Sequence, residues 1–434
     1  MTESVRNTYS VCPVCLRRLP AAIVKRRRDY FLEKVCPEHG GFSTVVWRGD
    51  HPRFELWGDY TPPVESEDMR PDCPNDCGLC PGHLQKTCCV VVEVTERCNV
   101  ACPFCFAWSK QASEDPPVAQ LAEWFRRLVE GGNTFVQLSG GEPTVREDLP
   151  EIIAAAQAAG CENIQLNTNG VRIAEEGNYM KALADAGLSN VFLQFDGTDD
   201  GIYEKLRGRR LFAEKKAAIE ACSVARVGVT LVPTVVPGVN DQNIGDMTDF
   251  GFLHSPAVRG IHFQPVSYFG RCPQPHGDQD RITLPEVLQA LERQTGGKVR
   301  ISDFAPSGCE HPRCGFHADF LVMPEAVVRM TPRTETCSCS RDDGKAHLRK
   351  RSHIARRWRR TDPGGTEECP PGGGCPDMDA FLHRIQSRAF TLTAMAFQDA
   401  YTMDIERLRR CSLHVYRNGR TIPFCARYLT PAIP

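Results

Sequence analysis

The sequence predicts an α/β protein built on about six parallel strands, and three observations carry that expectation. Short β-rich apolar runs alternate with amphipathic helical patterns from TCCVVVEVTER to IHFQPVSYF, the signature of repeated βα units and a parallel sheet. Cysteine is far above ordinary usage, with 22 in 434 residues, and falls in short groups. The charges balance at 52 Lys and Arg against 54 Asp and Glu, so no overall attraction to nucleic acid or to an anionic membrane is expected.

Taken in order, the chain begins MTESVRNTYSVCP without an apolar segment, and no later run approaches the ~18 residues of a membrane span. The expected location is the cytoplasm, where grouped cysteines point to metals and iron–sulfur clusters rather than disulfides. The first group reads CPVC, twenty residues, then CPEHG. Cys12, Cys15, Cys36 and His39 form two knuckles of a tetrahedral Cys3His site, most often zinc, with rubredoxin-like iron as the competing occupant. The polar, proline-bearing WRGDHPRFELWGDYTPPVESEDMRPD reads as a linker. DCPNDCGLCPGHLQKTCC then offers Cys73, Cys77, Cys80 and Cys88 or Cys89, enough for a closed auxiliary [4Fe-4S] cluster, with zinc as the alternative.

The strand VVVEV leads into ERCNVACPFCFAW. Cys98, Cys102 and Cys105 on one loop can hold three irons of a cube and leave the fourth open, whereas an electron-transfer cluster needs four ligands. The same spacing occurs at Cys73, Cys77 and Cys80, so context separates the two groups: only the second follows a buried strand, has Phe104 before its last Cys, and precedes SGGEPT on the next strand. Helical LAEWFRRLVEGG, LPEIIAAAQAAG, YMKALADAGL and AEKKAAIEAC alternate with the strands TFVQLSGG, NIQLNTNG, VFLQFDG, VGVTLVPTVV and IHFQPVSYF. In parallel α/β folds function collects at the carboxyl ends of the strands. Those ends carry Gly140, Gly141 and Glu142, then Asn167 and Asn169, then Gln194 and Asp196.

Beyond about residue 286 the rhythm breaks. LPEVLQALERQTG reads as a helix and HADFLVMP as a strand, residues 331–377 as loop-like, and MDAFLHRIQSRAFTLTAMAFQDAYTMDIERLRR as one or two helices. Cys309 and Cys314 close no site alone, nor do Cys411 and Cys425; together they make a second auxiliary cluster that ties the carboxyl-terminal region over the barrel mouth. Cys337, Cys339, Cys369 and Cys375 offer either an extra metal site or free thiols. RKRSHIARRWRR holds seven Lys or Arg in twelve residues. Its ordinary reading is a solvated face; the sharper ones are anionic lipid headgroups or a phosphorylated substrate, while nucleic acid, with Trp358 as a stacking group, is disfavoured by the neutral overall charge. Cys161 and Cys222 read as buried small hydrophobes. His262 and His414 read as core residues, and Cys272 and Tyr268 as candidates for the pocket wall.

The loop C-x3-C-x-aromatic-C followed by the Gly-Gly-Glu motif resembles the radical SAM superfamily. The resemblance implies a partial (β/α)6 barrel in which Cys98, Cys102 and Cys105 ligate a [4Fe-4S] cluster and S-adenosylmethionine (SAM) chelates its open iron. One electron then cleaves the sulfonium to a 5'-deoxyadenosyl radical, the cofactor carrying the chemistry and the protein orienting it. Gly140 and Gly141 would let backbone approach the methionine moiety, Glu142 would accept from its ammonium, and Asn167, Asn169, Gln194 and Asp196 would contact SAM or substrate. CPEHG, DCGLCPGH, CEHPRCG and DIERLRRCSLH with IPFC narrow the resemblance, from Cys12 to Cys425, to the tetraether lipid synthases and their pterin methylase relatives. The implied layout is a zinc- or rubredoxin-like knuckle domain at 1–62, an auxiliary-cluster linker at 63–92, the barrel at 93–285 and a carboxyl-terminal auxiliary-cluster domain at 286–434. The expected function is carbon-bond formation at an unactivated carbon of the tetraether lipid type, with a long apolar tunnel lined from FTLTAMAF. The alternative is transfer of a SAM-derived methylene or aminocarboxypropyl group to a small acceptor such as a pterin, marked by a compact polar pocket. A non-catalytic iron–sulfur carrier is the third reading. The partners expected are a small-molecule or lipid substrate and an electron donor such as a flavodoxin or ferredoxin; a transient membrane contact stays open.

Overall fold

The computed structural model describes residues 2–58, 73–75, 77–107, 109, 113–272, 277–330, 346–358 and 387–431. Cys337, Cys339, Cys369 and Cys375 lie outside the described residues. Four antiparallel strands open the chain: β1 (Thr2–Val11), β2 (Arg18–Arg26), β3 (Asp29–Cys36) and β4 (Gly40–Trp47), paired in sequence order. Alternation puts Tyr30 and Leu32 of β3 on the buried face. Phe54 stacks on Tyr30 at 4.5 Å between ring centres, and Trp57 lies 6.1 Å from Trp47. Residues 47–58 are therefore folded onto this sheet. The linker expectation fails there because the polar letters around Phe54 and Trp57 mask two buried aromatic anchors.

All six predicted parallel strands are present: β5 (Cys89–Thr95), β6 (Phe135–Gly140), β7 (Asn163–Thr168), β8 (Asn190–Gln194), β9 (Gly228–Val232) with its two-residue extension β10 (Thr234–Val235), and β11 (Val258–Pro265). They lie side by side in the order β11-β9-β8-β7-β6-β5, every pair parallel. The crossovers carry α1 (Val118–Glu130), α2 (Leu149–Ala158), α3 (Val171–Glu175), α4 (Tyr179–Asp185), α5 (Asp200–Arg207), α6 (Phe212–Val224) and α7 (Ile244–Leu253). In α1 the residues Leu121, Trp124, Phe125 and Leu128 are buried, a spacing that gives one helix face to the sheet. β5 is apolar nearly throughout because both its faces are covered.

The carboxyl-terminal part follows with α8 (Leu284–Gln294), β12 (Ala305–Pro306), β13 (Gly315–Val322), β14 (Val327–Arg329), α9 (Ala346–Trp358), β15 (Ala389–Met395), β16 (Leu413–Arg417) and β17 (Arg420–Pro423). β15 pairs parallel to β11 and antiparallel to β13, and β16 pairs parallel to β5. The parallel run thus holds eight strands, and the sheet crosses the boundaries expected near residues 92 and 285.

Two expectations are corrected here. FTLTAM is strand, not helix: Phe390, Leu392 and Ala394 enter the core while Thr391 and Thr393 alternate to the cavity side. Residues 349–358 of the basic run lie in helix α9 rather than in a loop; Arg351 is buried and donates to the carbonyls of Thr87, Cys88 and Gly132. Among the described residues no helix is long and apolar enough to cross a membrane.

Candidate active site

The site grows from the corner where β5 and β6 end. At Gly140 φ is +136° and a Cβ would stand 2.0 Å from the Thr95 carbonyl oxygen; at Gly141 it would stand 2.1 Å from that of Arg97. The Gly141 amide donates to the Thr95 carbonyl at 2.9 Å and the Glu142 amide to that of Arg97 at 2.8 Å. The two glycines are therefore required by the chain itself, which here stitches β6 to the root of the cysteine loop. The far end of that loop is pinned as well. Cys105 and Arg271 exchange backbone hydrogen bonds of 2.8 and 2.9 Å, and Arg271 Nε donates to the Cys102 carbonyl at 2.8 Å.

Glu142 is fully buried beside this loop. Its carboxylate accepts from the Thr144 hydroxyl at 2.7 Å, the Thr168 hydroxyl at 2.6 Å and the Asn169 amide at 2.6 Å. Burial raises its pKa and these donors oppose the rise. Asn169 Nδ2 donates to Asn99 Oδ1 at 2.7 Å, which ties the end of β7 to the cysteine loop, and Gln165 Nε2 donates to Asn167 Oδ1 at 3.1 Å. Gln194 Oε1 accepts from Lys215 Nζ at 3.0 Å, and Lys215 also donates to the Asn169 carbonyl. Burial brings the Lys215 pKa down to about 8.

Asp196 is not among the residues that line the cavity, and its two oxygens hold Arg207 at 2.6 and 2.7 Å. Arg207 does line the cavity; it donates to the Phe104 carbonyl at 3.0 Å and is charge-coupled to Cys102. Sequence reasoning missed Arg207, Lys215, Thr168 and Arg271. The first two stand on α5 and α6, each beside a second cation (Lys205 and Lys216), and cations inside a helical pattern look like a solvated face.

These groups surround one cavity of about 870 Å³. It runs from Cys98, Cys102, Cys105 and the Gly-Gly-Glu corner to the far end of the barrel, where Cys89, Phe135, Phe192 and Trp358 pack together. Hydroxyls and amides of Gln137, Ser139, Gln264, Thr391 and Thr393 line its middle. Of FTLTAMAF, Ala394, Met395 and Phe397 reach the wall as the expected apolar lining, with the hydroxyls of Thr391 and Thr393 set beside them. Tyr268 is tied by its hydroxyl to the Asp280 carbonyl, whereas Cys272 reaches the wall.

The donor sets can be tested against the groups they are expected to hold. The atoms of Cys12, Cys15, Cys36 and His39 all lie within 4.8 Å of one another, the compactness a single tetrahedral ion requires. Burial raises the Cys36 thiol, but hydrogen bonds from His39 and the Glu38 backbone prevail and bring it down to about 6. Among the described residues no other His, Cys, Asp or Glu group is that compact. The wider spread of Cys98, Cys102 and Cys105 suits separate irons of a cube, and all three face the cavity. Burial pushes the Cys98 thiol up to about 12, so this loop needs bound metal to hold thiolates.

Cys73, Cys77 and Cys80 also meet: the Cys77 thiol is raised first by its hydrogen bond with Cys73, then by burial and the Cys80 charge. Burial, then the charges of Cys425 and Cys314, raise the Cys411 thiol, and burial, then the charge of Cys314, raises that of Cys425. Cys309 is buried and lines the cavity. The backbone amide of Cys88 donates to the Ser412 carbonyl at 2.8 Å, next to Cys411 in the chain, while Cys89 faces the aromatic end of the cavity.

Comparison with known proteins matches this arrangement. Residues 92–251 match the radical SAM superfamily, and residues 4–48 match the HMPTM N-terminal zinc ribbon domain. The chain is 31% identical to the 7,8-dihydro-6-hydroxymethylpterin dimethyltransferase of Methanocaldococcus jannaschii, over 97% of this chain and 92% of that protein. It is 27% identical to the PqqA peptide cyclase of Methylocella silvestris, over 71% and 84%. Streptococcus suis SuiB bound to S-adenosylmethionine superposes with a TM-score of 0.36 at 18% identity, over 42% of this chain and 39% of that one. A [4Fe-4S] cluster and SAM are the cofactors of this superfamily, and the first four ligands lie within the residues matched to a zinc ribbon. The chain belongs to the radical SAM superfamily, as an enzyme that carries the amino-terminal zinc ribbon of its pterin methylase-like members.

Proposed function

We propose that this enzyme transfers one-carbon groups to a small, polar heterocyclic acceptor of the reduced pterin type, rather than coupling lipid tails. The observation that carries the reading is the whole-length similarity to a pterin dimethyltransferase. The cavity, at about 870 Å³, has room for SAM and one compact acceptor. Its wall is mostly apolar, and the hydroxyls and amides set into it would pair with ring nitrogens and carbonyls, since a buried polar group without a partner costs about 1–3 kcal/mol.

In this reading Cys98, Cys102 and Cys105 hold the catalytic cluster. When bound, the cluster and SAM supply reductive sulfonium cleavage and a radical able to take hydrogen from carbon. The chain does the rest. Glu142 accepts from the SAM ammonium while Thr144, Thr168 and the Asn169 amide fix its carboxylate. Asp196 acts through Arg207, whose guanidinium it aims at the cavity. Asn167, Asn169 and Gln194 complete the wall on the SAM side, with Lys215 fixing Gln194 and the Asn169 carbonyl. Cys73, Cys77, Cys80 and Cys88 form one auxiliary site, and Cys309, Cys314, Cys411 and Cys425 a second, each filled by a further [4Fe-4S] cluster. An external protein such as a flavodoxin or ferredoxin delivers the electron.

The test is anaerobic incubation of the reconstituted, reduced protein with SAM and 7,8-dihydro-6-hydroxymethylpterin, with mass spectrometry of all products. Formation of 5'-deoxyadenosine together with a pterin heavier by one or two methyl groups supports the reading. Deoxyadenosine formation that responds to isoprenoid lipids and not to any pterin removes it.

A further inference from the structure

Strand β7 carries an amide side chain at every second residue, Asn163, Gln165 and Asn167, and Asn169 follows just beyond its end. Alternation places them on one face. Two of them continue a hydrogen-bonded ladder that starts on β8. Asn190, in register with Gln165, donates through Nδ2 to Gln165 Oε1 at 3.2 Å, and Gln165 Nε2 donates to Asn167 Oδ1 at 3.1 Å. Asn190 and Gln165 are closed to solvent, whereas Asn167 lines the cavity.

The direction of the ladder follows from its buried end. Asn190 Oδ1 is buried without a partner. Run the other way, the ladder would strand Nδ2 there with its two N–H donors, and orphaned N–H groups are rarer in protein interiors than under-satisfied carbonyls. Asn167 therefore gives Oδ1 to the protein and keeps Nδ2 for the cavity. Its neighbours are committed at both ends. Asn169 gives Nδ2 to Asn99 at 2.7 Å and Oδ1 to the Val171 amide at 3.0 Å, and Gln194 accepts from Lys215 at Oε1 and gives Nε2 to Asp196. Of these three cavity amides, Asn167 has the end that no described residue takes.

We propose that Asn167 Nδ2 is the donor that recognises a carbonyl oxygen on the acceptor ring, with Gln165 as the positioning residue that holds this donor toward the cavity. The proposal deepens the pterin reading and rests on it for the identity of the ring. Depth assigns the contact to the acceptor. SAM has to reach the cysteine loop, and Asn169 is tied to that loop through Asn99. Asn167 stands two residues deeper along β7, roughly 6.5 Å at 3.3 Å per residue, where the SAM side of the cavity gives way to its middle. It is in register with Phe192, another wall residue, whose ring offers a flat acceptor an apolar face. A site built to donate to an oxygen rejects an analogue that presents N–H there, because donors on both sides are then left unpaired.

The test measures calorimetric affinities of the metal-loaded full chain, kept anaerobic, for three ligands. These are SAM, 6-hydroxymethylpterin, and 2,4-diamino-6-hydroxymethylpteridine, which carries an amino group in place of the ring carbonyl. The wild type is expected to favour the carbonyl compound by about tenfold or more. Asn167→Asp keeps the oxygen that Gln165 holds and turns the cavity end from donor to acceptor, so the preference inverts toward the diamino compound. Gln165→Met removes the hold; Asn167 then shows either end, and the preference collapses while both compounds still bind. Unchanged SAM affinity in both variants shows that the fold is intact. Weakening of both compounds alike in Gln165→Met, with the preference kept, reports a merely structural role and overturns the positioning role. Loss of SAM affinity in Asn167→Asp with the pteridine preference kept moves the oxygen to SAM and overturns the assignment to the acceptor. Equal affinity of the wild type for the two pteridines overturns the subsite and keeps the pterin reading. Binding of neither pteridine, with SAM bound normally, removes the pterin reading and the ring contact together.

Discussion

Arg207 and Asp196 form a two-point ion pair closed to solvent, with Nε to Oδ2 at 2.6 Å and Nη2 to Oδ1 at 2.7 Å. The pair joins the loop after β8 to the last turn of α5 and holds a guanidinium beside Cys102. A planar fork on a carboxylate fixes direction as well as charge, which a lysine could not do. Removing one charge strands the other in the interior, at a cost of about 3–5 kcal/mol. Asp196→Asn is expected to lose that much unfolding free energy in urea and to weaken SAM binding, while Asp199→Asn, at an exposed helix cap, changes neither. A loss under about 1 kcal/mol would show that the pair contributes no net stability.

Lys215 predicts a pH dependence. Its folded pKa of about 8 lies below the ordinary 10.5, because burial disfavours the ammonium more than the carboxylates of Asp196 and Glu142 favour it. Between those values the unfolded chain binds a proton that the folded chain does not. Stability from this group therefore rises with pH from about 8 to about 10.5, by up to ~1.4 kcal/mol per unit, and is lost as pH falls through the folded value. Urea midpoints of wild type and Lys215→Met across pH 7 to 10.5 should diverge in that window, the wild type gaining relative to the variant. Parallel curves would mean that Lys215 stays charged throughout.

The zinc ribbon is tied to the catalytic unit by side chains of its own strands. Lys34 on β3 donates to the carbonyls of Ala400 and Tyr401 at 2.7 and 2.9 Å, and Thr8 on β1 donates to Asp404 at 2.7 Å. The same 398–404 segment holds Asp399, which grips Arg281 at 2.7 Å and the Tyr268 amide at 2.8 Å. Losing the ion frees the β3–β4 turn that carries Cys36 and His39, and with it the register that aims Lys34. His39→Ala is expected to lose zinc and lower the melting temperature while the absorbance of the Cys98 loop cluster persists. Loss of both metals together would show that the two sites do not form independently.

The six strands and the helices between them were legible because each is a local pattern: β5 is a continuous apolar run and α1 a spaced one. The cysteine loop was legible for a different reason, since three thiols and Gly-Gly-Glu at consecutive strand ends have few other uses. β15 was not, because Phe390, Leu392 and Ala394 face the core while Thr391 and Thr393 face the cavity, and only knowing that both faces are inside distinguishes this strand from an amphipathic helix. Arg207 and Lys215 were hidden by their helices. Their meaning depends on carboxylates and carbonyls brought close by folding, as with Asp196 eleven residues before Arg207 and the Asn169 carbonyl, 46 residues before Lys215.

The two threonine hydroxyls of β15, which line the cavity beside Ala394 and Met395, separate the polar acceptor from the lipid tail. Thr393 Oγ1 lies 2.8 Å from His262 Nδ1, and both residues line the cavity. Thr393→Val keeps the shape of the side chain and removes the hydroxyl, so packing of β15 against β11 is conserved while His262 loses its partner. A polar acceptor that uses this pair loses about 1 kcal/mol of binding, roughly fivefold in affinity. The expected result is a KM for the acceptor raised about fivefold with SAM affinity unchanged, since the SAM side of the cavity is walled by β6 to β8. A methylene chain would behave in the opposite way, because replacing a hydroxyl by a methyl makes the wall a better solvent for it. An acceptor KM that falls in Thr393→Val would therefore argue for an apolar substrate and against the pterin-type reading.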